Sequence, residues 1–129
     1  MRIEHVAVWT KNIETLKAFY MEFFGGTPNN KYRNPRTGFE SYFVTFDSGA
    51  RLELMDMPFV VVKPNDSEKQ YTGYVHLAFS VGSRENVDAL TETLRGRGYR
   101  VVSQPRQTGD GCYESCVLDP DGNRVEITA

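Results

Sequence analysis

Two hydrophobic periods take turns along this chain, and the succession occurs twice. Around His5 the period is two, with Val6 and Val8 on one side of an extended run and Ile3, His5, Ala7 and Trp9 on the other. From Asn12 it lengthens to that of a helix. Leu16, Phe19, Tyr20 and Phe23 form one stripe, Asn12 is placed to cap the start, and Gly25-Gly26 is placed to end it. Extended runs then return at Gly38 to Phe46 and Arg51 to Met55, separated by turn residues. With a shift of 71 residues the pattern restarts: Tyr74 to Ser80 reads as a strand, Ser83 as a cap, Val87, Leu90 and Leu94 as a stripe, and Gly96 as the stop. Runs at Tyr99 to Ser103, Tyr113 to Leu118 and Arg124 to Thr128 complete the second half. By symmetry a short strand is expected near Asn30 to Arg33.

Each half therefore reads as a strand, a helix and about three strands, an α+β chain of two tandem βαβββ modules. Residues 1–57 and 73–129 form the modules of a single domain, 1–129, joined by a connector over 58–72. Pro58, Pro64, Asn65 and Asp66 mark that connector as turn-rich. Within it, Phe59 to Val62 is apolar without alternation, which suits either an arm packed on the other module or a flap over a site. The repeat is also literal. Asp47-Ser-Gly-Ala-Arg-Leu-Glu-Leu54 and Pro120-Asp-Gly-Asn-Arg-Val-Glu-Ile127 match at a shift of 73, pairing Gly49 with Gly122, Arg51 with Arg124 and Glu53 with Glu126.

Alternation decides which way the polar side chains of these strands point. Leu52 and Leu54 leave Arg51, Glu53 and Met55 on the opposite face, and Val125 and Ile127 do the same for Arg124, Glu126 and Thr128. Val75, Leu77 and Phe79 are the core positions around His76, which shares its face with Tyr74, Ala78 and Ser80. His5, Glu53, His76 and Glu126 thus all turn away from their own module's helix. Taken singly, each has an ordinary reading, a hydrogen-bonded histidine or the solvent side of a strand. Together, one His and one Glu per repeat are what a symmetric metal site requires. Arg51 and Arg124 fit substrate clamps or surface positions flanking each Glu. Trp9, Tyr74 and Tyr113 fit an aromatic-lined pocket for a planar or sugar-like ligand, or packing between modules.

Charge and composition narrow the partners. Fifteen basic and seventeen acidic residues give a net charge of −2, so neither nucleic acid nor an anionic membrane surface is indicated. No apolar run approaches the roughly 20 residues of a membrane span, and the N-terminus lacks a signal peptide's apolar stretch, which leads to the expectation of a soluble, cytoplasmic protein. Cys112 and Cys116 are four apart in an extended stretch, which separates their Cα atoms by about 13 Å, beyond the ~7 Å limit for a disulfide. Free thiols outside any metal site are expected.

The opening Ile3-Glu-His-Val-Ala-Val, the helix carrying Phe19-Tyr20 and the closing Asp119-Pro-Asp-Gly-Asn-Arg-Val-Glu-Ile127 resemble the vicinal oxygen chelate superfamily, which includes glyoxalase I. The resemblance covers nearly the whole chain and implies modules that form a curved mixed sheet around a central cleft. It further implies an octahedral divalent ion (Ni²⁺, Zn²⁺, Co²⁺ or Mn²⁺) on His5, Glu53, His76 and Glu126, with open positions for vicinal substrate oxygens. The implied activity is that of a lactoylglutathione lyase-like isomerase, a proton shift on a metal-chelated 2-oxo substrate of hemithioacetal type through an enediolate, with Glu126 as base and Glu53 as its counterpart. A homodimer is expected, with modules paired within a chain or across the dimer.

The chain also departs from the glutathione-dependent pattern. Trp9 and, approximately, Met57 stand where that pattern places the Arg and Asn of the glutathione clamp, so glutathione or another thiol remains open as co-substrate. Within the same superfamily a metal-free binding protein for an antibiotic or small metabolite is the competing class, against which the ligand set argues. A metal-dependent thiol transferase or epimerase is a further alternative, and Glu53 counts against both. Extradiol dioxygenases of the superfamily carry longer chains and a two-His, one-carboxylate iron site.

Overall fold

A computed structural model describes residues 1–62 and 69–129. The chain divides into two compact units, Met1–Pro64 and Asn65–Ala129, each holding one copy of the repeat. Of the connector, Pro64, Asn65 and Asp66 lie outside the described residues, while Phe59, Val61 and Val62 are exposed.

The first unit runs β1 (His5–Trp9), α1 (Ile13–Phe24), β2 (Thr27–Pro28), β3 (Tyr32–Arg33), β4 (Glu40–Thr45) and β5 (Arg51–Asp56). Its sheet has the order β1-β5-β4-β2, with β3 also on β4. β1 and β5 are parallel and the remaining pairs antiparallel. The second unit runs β6 (His76–Ser80), α2 (Arg84–Gly96), β7 (Val101–Gln107), β8 (Tyr113–Leu118) and β9 (Arg124–Thr128), in the order β6-β9-β8-β7 with β6 and β9 parallel. In both units the last strand of a meander returns beside the first strand, which brings the His-bearing and Glu-bearing strands into contact.

Most of each stripe read from sequence forms a core, while Phe23 and Leu90 are only half-buried. Ile13, Leu16, Phe19 and Tyr20 of α1 are buried against Tyr42, Val44, Leu52 and Leu54, and in the second unit Val87 and Leu94 of α2 are buried with Val117, Leu118, Val125 and Ile127. α1 ends at Gly25, whose φ of +66° lets the chain reverse, and the next residue must also be glycine because a Cβ on Gly26 would lie 2.5 Å from Val44 Cγ1.

Several local expectations are corrected. Asn12 makes no capping bond through its side chain; instead its backbone N–H donates to Thr10 Oγ1 at 2.9 Å. Ser83 does cap α2, accepting from the Asn86 N–H at 3.2 Å. α2 passes through Gly96 and turns at Gly98, whose φ of +87° supplies the left-handed residue while Tyr99 N–H closes on Leu94 O at 3.0 Å. The strand expected near Asn30 to Arg33 is β3, only Tyr32–Arg33, and a further short strand, β2, precedes it; both pair with β4. β7 continues past Ser103 to Gln107, and it carries Pro105 because it is the edge strand and its pairing is bulged there. Val75 precedes β6 and is exposed rather than part of the core. Among the described residues no helix is long and apolar enough to cross a membrane.

Candidate functional site

The register of the two parallel strand pairs is the same in both units. His5 lies opposite Arg51 and Ala7 opposite Glu53; His76 lies opposite Arg124 and Ala78 opposite Glu126. Each Glu is therefore a diagonal neighbour of its His on one face, and the small Ala beside it leaves its carboxylate room to lean across. His5 Nε2 is 3.7 Å from Glu53 Oε2, and His76 Nε2 is 3.5 Å from Glu126 Oε2. The burial alternation of β5 and β9 turns Leu52, Leu54, Val125 and Ile127 to the core and the Arg and Glu side chains to the other face. Both imidazoles are 40% exposed, against 15% and 19% for the carboxylates. Each unit thus presents an accessible imidazole beside a more sheltered carboxylate.

The third strand of each sheet completes this face with residues that sequence reasoning passed over. Phe43 lies opposite Glu53, and Cys116 opposite Glu126. The Phe43 ring meets the His5 ring edge-on at 5.5 Å and lies 4.1 Å beneath the Arg51 guanidinium. Cys116 is partly sheltered, and burial pushes its thiol up while a hydrogen bond with Arg124 pulls the other way. Glu4 was also missed; it pairs with both His5 and Arg51. The signal was available, since alternation on β4 and β8 places Phe43 and Cys116, and an acid directly precedes one His but not the other.

The aromatic candidates separate. Trp9 shares the His5 face and packs edge-on against Phe39 at 6.2 Å. Tyr74 lies ahead of β6 and is fully exposed. Tyr113 is corrected: it shares parity with Ser115 and Val117, so it turns to the helix side, where its hydroxyl donates to Asp88 Oδ1 at 2.9 Å and the Arg84 guanidinium sits 5.0 Å from its ring. The cysteines are free, as expected.

This geometry sits in a chain whose residues 2–127 match the glyoxalase family profile, described as the Glyoxalase/Bleomycin resistance protein/Dioxygenase superfamily. The chain belongs to this superfamily. It is 28% identical over 136 residues to the protein YqjT of Bacillus subtilis (strain 168), described as uncharacterized, covering 98% of each chain. In fold it is similar to a glyoxylase/bleomycin resistance protein/dioxygenase domain from Frankia sp. EAN1pec, with a TM-score of 0.81, 19% identity and coverage of 99% and 96% of the two chains. It is similar also to glyoxalase I from Zea mays, with a TM-score of 0.77 and 22% identity, over 98% of this chain and 44% of that one.

A divalent metal is common in the superfamily, and the donor chemistry here suits one. Imidazole nitrogen and carboxylate oxygen each bind a first-row ion at roughly 2.0–2.2 Å, so two of them on one ion lie about 3.0–3.4 Å apart. Both His–Glu pairs are within a few tenths of an ångström of that span. The structure brings His5 to Glu53 and His76 to Glu126; among the described residues no three His, Cys, Asp or Glu side chains group as a metal cluster.

Proposed function

We propose that this superfamily member is a metal-dependent lyase or isomerase of glyoxalase I type, moving a proton on a 2-oxo substrate such as a hemithioacetal. The observation that carries the reading is the repeated register: both units set an imidazole Nε2 within 3.7 Å of a carboxylate on the face turned from the helix. In this reading His5, Glu53, His76 and Glu126 share one ion, from one chain or from two chains of a homodimer. A divalent ion there, Ni²⁺, Zn²⁺, Co²⁺ or Mn²⁺, would polarise vicinal substrate oxygens as a Lewis acid. Glu126 then takes the proton from the acidified carbon and returns it to the neighbouring carbon, and Glu53 is its symmetric counterpart. Sheltering of both carboxylates from water suits that role, and the half-exposed imidazoles leave a route for substrate. Trp9 occupies the position of the expected glutathione clamp, so the thiol is glutathione or another one, and Arg51 and Arg124, beside the two His–Glu pairs, are the candidate substrate clamps.

The test is elemental analysis of the purified protein together with a methylglyoxal-plus-glutathione assay after loading Ni²⁺ or Zn²⁺. Bound metal with thioester formation is the expected result. Metal without turnover would move the search to another thiol or 2-oxo compound, and a protein without metal affinity would overturn the reading in favour of a small-molecule binder.

A further inference from the structure

The His–Glu pairs of the two units share a register but not their surroundings, and the difference centres on Glu4. One oxygen of its carboxylate, Oε2, lies 2.5 Å from His5 Nδ1, while the other, Oε1, takes the Arg51 guanidinium. Arg51 in turn covers the Phe43 ring, which the His5 ring meets edge-on. A carboxylate clasped between an imidazole and a guanidinium, with a phenyl ring beneath both, fixes the position of all four groups. β1 is the end strand of its sheet, which gives the Glu4 side chain space to curl round to the His5 face.

The second half has none of this. Val75 stands where the repeat places Glu4, and Cys116 where it places Phe43. Among the described residues the His76 ring meets one polar side chain, the Glu126 carboxylate.

We propose that Glu4 is a positioning residue that locks His5 in the Nδ1–H tautomer with its Nε2 lone pair aimed along the Glu53 side, so that the two imidazoles of the repeat are unequal. The tautomer of a neutral imidazole is set by what its second nitrogen bonds, and a carboxylate accepts a proton but donates none when ionised. Nδ1 must therefore be the donor, and Nε2 is left as the acceptor or ligand atom. His76 has its carboxylate neighbour, Glu126, 3.5 Å from Nε2 and, among the described residues, no acceptor at Nδ1, so it is not held in the Nδ1–H form. The consequence for metal binding rests on the function proposed above: His5 already presents Nε2 as a ligand atom, whereas His76 must settle its tautomer when the ion arrives. Outer partners of this kind typically contribute 10–100-fold to metal affinity.

Long-range ¹H–¹⁵N correlation spectra of the metal-free protein, at a pH where both histidines are neutral, read each tautomer directly. His5 is expected as Nδ1–H alone and His76 with its Nε2–H form populated. Glu4→Ala should convert His5 to a mixture while leaving the His76 signals unchanged, which also reports an intact fold. Glu4→Gln should keep the tautomer, since its amide oxygen still accepts from Nδ1–H. In Ni²⁺ titrations Glu4→Ala should bind about 10–100-fold more weakly than wild type. A His5 mixture in the wild type, or an unchanged His5 tautomer in Glu4→Ala, would overturn the proposal. A locked His5 in a protein that takes up no metal would instead sustain the positioning role and remove the lyase reading.

Discussion

Three donors converge on the carboxylate of Glu14: the Lys17 ammonium, the Tyr42 hydroxyl at 2.9 Å and the Lys31 ammonium at 3.2 Å. Lys17 first, then the other two, hold its carboxyl down to about 2 from an ordinary value of 4.5. Because the folded value is depressed, this network stabilises α1 on β4 fully above about pH 4.5 and is lost as the pH falls through about 2. An NMR titration should place the Glu14 midpoint near 2, and Glu14→Gln should flatten the stability profile over that window; a midpoint near 4.5 would remove the effect. The two thiols diverge for the opposite reason. Burial raises Cys116 whereas Cys112 is exposed, so iodoacetamide at neutral pH should label Cys112 first, as peptide mass mapping would show. At the site, Glu126→Gln keeps the size and one acceptor oxygen but removes the charge and the basic oxygen. Under the proposed lyase function, turnover of the metal-loaded protein should fall by about 10²–10⁴-fold with the fold unchanged by circular dichroism, and full activity would exclude Glu126 as the base. The orientation of this residue was legible from sequence because Val125 and Ile127 flank it. That of Tyr113 was not inferred, since its aromatic character was weighed without its parity with Ser115.

At the scale of the element, α2 holds a polar pair that its hydrophobic stripe concealed. Thr91 is fully buried next to Leu90, the residue read as part of the stripe; its hydroxyl donates to Val87 O at 2.6 Å and so must accept from Ser115 Oγ, also at 2.6 Å, on β8. Thr91→Val would leave the buried Ser115 hydroxyl without this partner and should cost about 1–3 kcal/mol in urea unfolding. Adding Ser115→Ala removes the orphaned group, so the double variant should be more stable than the sum of the two single changes predicts; simple additivity would show that the bond is inconsequential. The strands and helices themselves were readable because each buries one face and so must keep its period. Their ends were less readable. Gly96 and Gly98 both offer a helix stop in sequence, and only the chain's path to Tyr99 selects Gly98. Likewise Pro105 reads as a strand terminator until β7 proves to be an edge, where a missing N–H costs nothing in the ladder.

For the whole molecule, the repeat made the fold and the His–Glu pairs legible together, because duplication preserves the register that matters: His opposite Arg, Glu opposite Ala. What duplication hides is divergence: Glu4 against Val75 can be read along the chain, but that Glu4 reaches both His5 and Arg51 is visible only once β1 and β5 are paired. The same divergence reaches stability. Among the described residues the first unit buries eight apolar side chains, three of them the aromatic Phe19, Tyr20 and Tyr42, whereas the second buries six, all aliphatic. Each buried large apolar side chain is worth about 1.5–3 kcal/mol and aromatic rings bury the most area, so the first unit holds the stronger core. Chains of about 60 residues bury only some 60% of their unfolded surface, which leaves either unit near the margin when separated. Expressed apart, a fragment of residues 1–64 should therefore retain a cooperative thermal transition below that of the full chain, and a fragment of residues 65–129 should melt lower still or without cooperativity. A second fragment that outlasts the first would mean that the strand ladders and polar contacts of that unit, including Thr91 with Ser115, outweigh the difference in buried apolar area.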